Sequence, residues 1–100
     1  MHKRQQIGSL TFQVDPSVPA VYVYLRAREG FRSHNTVVID DDVNVDLDAE
    51  GNVIGVELLG PGSLEIVLNT VVPRYQVNEL KELENQRKLL QAVFEPAKTA

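Results

Sequence analysis

The sequence predicts an α+β domain: a small antiparallel β-meander of about four strands, followed by C-terminal helical segments. Three observations point there. Apolar and polar residues alternate between Leu10 and Leu58, the two-residue period of half-buried strands. Gly60-Pro61-Gly62 then breaks the alternation with residues that do not fit a hydrogen-bonded ladder. Beyond Val77 the leucines recur at helical spacing.

Residues 1–8 read as a flexible N-terminal tail and residues 9–60 as the sheet. Leu10, Phe12 and Val14 alternate with polar neighbours as a first strand, and Asp15-Pro16 with Pro19 marks the turn after it. In VYVYLRAR, residues 21–28, Val21, Val23, Leu25 and Ala27 fall on one side of the pleat; Tyr22, Tyr24, Arg26 and Arg28 fall on the other. EGFRSHN, residues 29–35, reads as a polar connection. TVVIDDDVNVDLD, residues 36–48, alternates for longer than an ordinary strand. Val37, Ile39, Val43, Val45 and Leu47 share one parity, and Asp40, Asp42, Asn44, Asp46 and Asp48 the other. Asp41 breaks the apolar side, so a bulge or bend is expected there, splitting the element. Ile54, Val56 and Leu58 then return to the apolar face.

Residues 61–95 read as a helical extension. Ser63 is placed to cap a short helix with Leu64, Val67, Leu68 and Val71 at helical spacing, although β-branched Ile66, Val67 and Val71 would also suit a fifth strand. From Val77 a 4-3 repeat runs through Gln76, Leu80, Leu83, Arg87, Leu90 and Phe94, widened by Leu89 and Val93. Glu79, Glu82 and Glu84 precede Arg87 and Lys88, the order that complements a helix dipole; Pro96 supplies a stop, leaving 96–100 as a tail. Two heptads do not hold a helix in water, so this one must pack on the sheet or on a second subunit.

A chain of 100 residues, 43% hydrophobic and 24% charged, suits one globular domain with one modest core. The net charge of -4 argues against a nucleic-acid partner, which would need a clustered basic surface. The acidity is local: Asp40, Asp41, Asp42, Asp46, Asp48, Glu50 and Glu57 fall in one stretch that holds no Lys or Arg. Without cysteine there is no disulfide, thiolate nucleophile or cysteine zinc site, which suits a reducing cytoplasm. No apolar run is long enough to span a bilayer, and the N-terminus lacks the apolar centre of a signal peptide. A cytoplasmic protein with no membrane partner is expected.

The stretch DLDAEGNVIGVE, residues 46–57, sets Asp46, Asp48, Glu50, Gly51 and Glu57 at nearly the spacing of a calcium-binding EF-hand loop. Such a loop needs helices at both ends to curl it around the ion. Here the flanks alternate with period two, and Glu50 stands where Asp or Asn is usual. A hairpin accounts for the same residues: Ala49, Glu50 and Gly51 form the tight connection, Gly51 is left-handed, and Asp48 and Asn52 flank it. Asp46, Asp48, Glu50 and Glu57 therefore stay as metal candidates of second rank, and no cofactor is expected.

Glu57, among apolar neighbours, is the one carboxylate suited to acid–base chemistry, yet its strand parity turns it outward. His2 and His34 stand apart in a tail and a loop and form neither a zinc cluster nor a catalytic triad. Tyr22 and Tyr24 beside Arg26 and Arg28 form an aromatic and basic stripe of the kind that binds single-stranded nucleic acid. They face the same way as the acidic ladder, however, which favours a protein interface. If residues 20–28 pair with 36–44, ion pairs from Arg26 and Arg28 to Asp40 and Asp42 are expected.

The Asp15-Pro16 turn, the AVYVYL strand and DDDVNVDLDAEGNVIGVELL together resemble the small bacterial domain-of-unknown-function family 2283, whose members carry strands like "ALYIRL" and "VNVDLDEDGRVVGIEIL". The resemblance covers about residues 10–60. It implies a compact antiparallel meander with a C-terminal extension, and it carries no agreed activity or catalytic residue. Pro19, where a small acidic or polar residue is usual, and the long extension beyond Leu59 depart from the pattern.

The expectation is thus a non-enzymatic protein-interaction or assembly module, homo-oligomeric through Leu80, Leu83, Leu90 and Phe94, with Tyr22, Tyr24 and the acidic strand face turned to a partner. Two other readings stand beside it: a calcium- or ligand-regulated protein using the acidic hairpin, and an antitoxin-like acidic partner of a basic protein.

Overall fold

The computed structural model describes residues 3–15, 17–26, 30 and 32–94. The expectations placed on His2, Pro16, Ala27, Arg28, Pro96 and the 96–100 tail lie outside the described residues. Six strands, β1 (Lys3–Ile7), β2 (Leu10–Asp15), β3 (Ala20–Leu25), β4 (Asn35–Asp40), β5 (Val43–Leu47) and β6 (Val53–Leu58), form one antiparallel sheet. Its order is β1-β2-β3-β6-β5-β4, so two three-stranded meanders meet along their last strands, β3 and β6.

The expected count of about four strands is corrected to six, for local reasons. Residues 3–7, expected as tail, pair along β2 as an edge strand through a Gly8-Ser9 turn between Ile7 and Leu10. KRQQI carries too little apolar alternation to announce a strand; distant groups hold it instead. The Ser9 N–H donates to Glu82 Oε1 at 3.1 Å, and Arg26 Nη1 donates to the Gly8 carbonyl at 2.9 Å. The other additional strand comes from the long alternation at 36–48, which turns at Asp41-Asp42. There the Asp42 N–H donates to Asp40 Oδ1 at 3.1 Å, and the register of β4 on β5 shifts between Val38 and Asp40.

Strand β3 pairs with β2 and β6, while β4 pairs with β5. The ion pairs expected between 20–28 and 36–44 therefore do not form at Arg26, whose guanidinium lies at the β1–β2 turn. A second register shift, between Asp46 and Leu47, sets Val53 opposite Leu47. Val53 consequently joins the core cluster in place of the expected Ile54.

Two helical rods follow the sheet. Residues 63–75 comprise α1 (Ser63–Ile66), a π turn (Val67–Val71) and α2 (Val72–Tyr75), so this segment is helix and not a fifth strand. The N-cap is Gly62, without a side-chain cap; Ser63, expected in that role, is the first helical residue and is buried. The Val72 N–H reaches five residues back to the Val67 carbonyl. That wide winding sits immediately before Pro73, which has no N–H to donate and crowds the carbonyl four residues earlier. The rod ends at Gln76, in the left-handed conformation at φ 56°. Replacing Gln76 with glycine should therefore stabilise the fold by about 0.5–1 kcal/mol, read as a higher melting temperature. A lower melting temperature would mean that the glutamine side chain makes a compensating contact.

The second rod, residues 78–94, begins as a 3-10 helix (Asn78–Gln86) and continues as α3 (Arg87–Phe94). Val77, Leu80 and Leu83, three residues apart, are all buried, the spacing that a three-residue turn stacks on one side. Arg87 ties the second rod to the first through Glu65 at 2.8 Å and pairs with Glu84 on its own rod at 2.7 Å.

One apolar core joins the layers. Leu10, Phe12, Val21, Val23, Val45 and Val56 from the sheet meet Val67, Val71, Leu80, Leu83 and Leu90 from the rods. Leu80 and Leu83 are 0% exposed and Leu90 3%, with Phe94 partly buried against the same cluster. Of the two packings expected for this stripe, the structure shows the one on the chain's own sheet. The three leucines are buried within the chain itself.

Candidate functional site

Strand parity sends Val21, Val23 and Leu25 into the core and Tyr22 and Tyr24 to the opposite face, as expected. On that face Thr36 and Val38 are exposed, Gln13, Tyr22, Tyr24, Asn44, Asp46 and Glu57 are half-buried, and Thr11 is buried. The strand registers lay the side chains of this face out in two rows. One runs Gln13, Tyr22, Glu57, Asn44, Val38; the other runs Thr11, Tyr24, Gly55, Asp46, Thr36. Val38, on edge strand β4, is 70% exposed.

Gly55 shapes the middle of this face. A β-carbon there would stand 3.1 Å from the Val23 carbonyl oxygen, 3.2 Å from Tyr22 Cε1 and 3.5 Å from Tyr24 Cδ1. The two rings lean over the bare backbone of β6 and stack, with centroids 4.7 Å apart and planes at 24°. Beside them, Gln13, Asp15, Ala20, Tyr22 and Glu57 line a shallow depression of about 140 Å³.

Carboxylates complete the site. Glu57 lies directly across from Tyr22 on β3 and from Asn44 on β5, and its Oε1 accepts Asn44 Nδ2 at 3.0 Å. Asp46 lies across from Gly55, and its Oδ1 accepts the Thr36 hydroxyl at 2.6 Å. Burial, and then the neighbouring Glu57 carboxylate, push the Asp46 carboxyl above the ordinary aspartate range.

A raised carboxyl pKa means that the folded chain binds the Asp46 proton more tightly than the unfolded chain does. This stability is present at acid pH and is lost as pH rises through the window that begins near about pH 4. Asp46→Asn keeps an acceptor for Thr36 and removes the repulsion. It should stabilise the fold at neutral pH by less than about 1 kcal/mol once solvent screening is counted, read as a higher melting temperature. The gap over the native chain should close as the buffer is acidified, and a gap of constant size would contradict this cause.

The metal candidates do not gather. The Asp48 carboxylate is taken up by its own turn: its Oδ1 accepts the Glu50 and Asn52 N–H groups at 3.0 and 2.9 Å, and its Oδ2 accepts Asn52 Nδ2 at 3.3 Å. The Gly51 N–H closes the turn on the Asp48 carbonyl at 3.0 Å, with Gly51 at φ 84°. This is the expected hairpin. Glu50 is exposed at its tip, and Asp46 and Glu57 remain on the sheet. Among the described residues, no group of three or more His, Asp or Glu side chains is placed to hold a metal ion.

Of the expected partner-facing residues, the structure brings together Tyr22, Tyr24 and Asp46, beside the metal candidate Glu57; it sends Asp40 and Asp42 to the β4–β5 turn and Asp48 to the β5–β6 turn. Sequence reasoning missed Gly55, Thr36 and Asn44. A lone glycine within a strand is the signal of a close approach that would have marked the first.

A sheet with helices on one face and tyrosines and carboxylates on the other makes this a small α+β protein with an open sheet face. Residues 12–60 match the family described as protein of unknown function (DUF2283), a stretch that takes in most of β2 and all of β3 to β6. Strand β1 and both helical rods lie outside the match. No curated protein and no solved structure matches the chain. Among the described residues, no helix is long and apolar enough to cross a membrane.

Proposed function

We propose that the protein is a non-enzymatic, cytoplasmic protein-interaction module that docks its partner on the open face of the sheet. The observation that carries this reading is the stacked Tyr22–Tyr24 pair set beside Glu57 and Asp46, on the face opposite the helical rods. Tyrosine supplies large contact area at little entropic cost and is enriched in interfaces, whereas a solvated strand face has no need of stacked rings. The carboxylates repel phosphates, so the same face disfavours nucleic acid. Self-association through the leucine stripe has no support from the packing described above, which leaves the sheet face as the surface on which a second copy or another protein would sit.

The test is affinity capture from the native host's extract with the full chain, Glu57→Lys, and Lys88→Glu as a control on the exposed surface of the second rod. A partner retained by the full chain and by Lys88→Glu, but lost from Glu57→Lys with an unchanged melting temperature, supports the reading. Equal retention by all three sinks it.

A further inference from the structure

We infer that the protein forms a weak two-fold dimer in which the β4 edges of two copies pair antiparallel, carrying the sheet from one chain into the next. This contact lies at the rim of the sheet and goes beyond the docking reading above.

The two edges of the sheet are built differently. Strand β1 reads KRQQI, two basic and two amide residues in five, a composition that discourages further pairing. Strand β4 reads NTVVID, without Lys, Pro or Gly and with four β-branched residues in a row, Thr36 to Ile39. Among the described residues it pairs with β5 alone, so alternate N–H and C=O groups along it point away from the sheet. Thr36 is exposed, Val38 is 70% exposed, and Val37 and Ile39 are half-buried, so apolar side chains reach solvent on both sides of the strand. The helical layer is centred elsewhere: α3 packs over β3, and the 3-10 part of the second rod over β2. The register shift between Val38 and Asp40 lies toward the end of the strand and leaves Asn35 to Val38 in regular pairing with β5.

Charge selects a second copy as the occupant. Arg32 and His34, both exposed, precede the strand, and exposed Asp40 and Asp41 stand at its end. An antiparallel copy centred near Val37 and Val38 sets the β-branched middles together and brings the Arg32 end of each chain beside the Asp40-Asp41 end of the other. A parallel copy would set like charges side by side. Antiparallel pairing about a two-fold axis also keeps both helical layers on one side and both tyrosine-bearing faces on the other, so the docking face of each copy stays uncovered. One strand pair buries less than the roughly 1,200 Å² of a stable specific interface, which makes the association weak.

The experiment is sedimentation equilibrium of the full chain at protein concentrations up to about 1 mM, where a contact one strand wide populates the dimer. The expected result is a monomer–dimer equilibrium that stops at two copies. It should be lost in Val38→Lys, which sets two cations across the axis, and weakened about tenfold in Arg32→Glu. Adding Asp41→Arg to Arg32→Glu should restore it, because the ends are again opposite in sign. These side chains are exposed, so the melting temperatures should stay essentially unchanged. Since the chain has no cysteine, Val38→Cys should cross-link two copies on oxidation, whereas Val18→Cys, at a comparably exposed valine between β2 and β3, should not. Glu57→Lys should dimerise like the native chain, so a failure of the docking reading is seen separately. A monomer at every concentration overturns the inference, as does a dimer that survives Val38→Lys or cross-links equally through Val18→Cys. Growth beyond two copies would mean that β4 meets β1 in an open array, and a monomer that loses a captured partner on Val38→Lys would assign the edge to a foreign strand; either result overturns it too.

Discussion

Leu83→Ala should destabilise the isolated chain by about 3 kcal/mol while leaving its solution mass unchanged. Leu83 is fully buried, and its neighbours in the core come from the sheet and from the first rod. Truncation removes apolar contact and leaves a cavity between packed layers that relax only in part. In a domain of this size the loss corresponds to a fall of about 12–24 °C in melting temperature. A leucine seam between subunits would respond differently. It would lower the mass seen by light scattering and largely spare the melting of the protomer. Thermal melting and light scattering on the same variant therefore separate the two roles of the stripe.

Asp48→Ala should cost about 2 kcal/mol, the second-largest effect. The carboxylate organises the β5–β6 turn by accepting three donors from Glu50 and Asn52, and the residue is only 6% exposed. Alanine leaves two backbone N–H groups without their acceptor and removes the preference for this turn. Asp48→Asn, which retains one oxygen at that position, should recover about half of the loss. Added calcium should not distinguish the native chain from either variant. A large calcium-dependent rise in melting temperature that disappears in Asp48→Ala would instead revive the ion-binding reading.

What the sequence revealed follows the range of the interactions involved. The hairpin at 48–52 was legible because its chemistry is local: an aspartate, a left-handed glycine and an asparagine within five residues. The two faces of β3 were legible because strand parity depends on the chain alone. Strand β1 was not, since KRQQI has one apolar residue and is fixed by its ladder to β2 and by Glu82 at its turn. The partners of β3 were not legible either. Neighbouring segments were expected to pair, which set Arg26 against Asp40; the observed β3–β6 pairing puts tyrosines against Glu57 and Gly55 instead. The candidate site was thus half visible: its residue types and parity could be read, but the juxtaposition that gives it chemistry depends on sheet order. In the second rod, Val77, Leu80 and Leu83 announced a helix, but a three-residue spacing over so short a run also satisfies the α-helical period.

The most direct test of the account is hydroxyl-radical footprinting of the full chain, alone and bound to the partner that Glu57→Lys fails to capture. The two faces of the sheet then report separately. Protection concentrated at Tyr22 and Tyr24, with Tyr75 on the first rod unchanged, is the expected result. Protection falling on residues 78–94 instead, with both sheet tyrosines as reactive as in the free chain, would contradict the assignment of the open face as the docking surface.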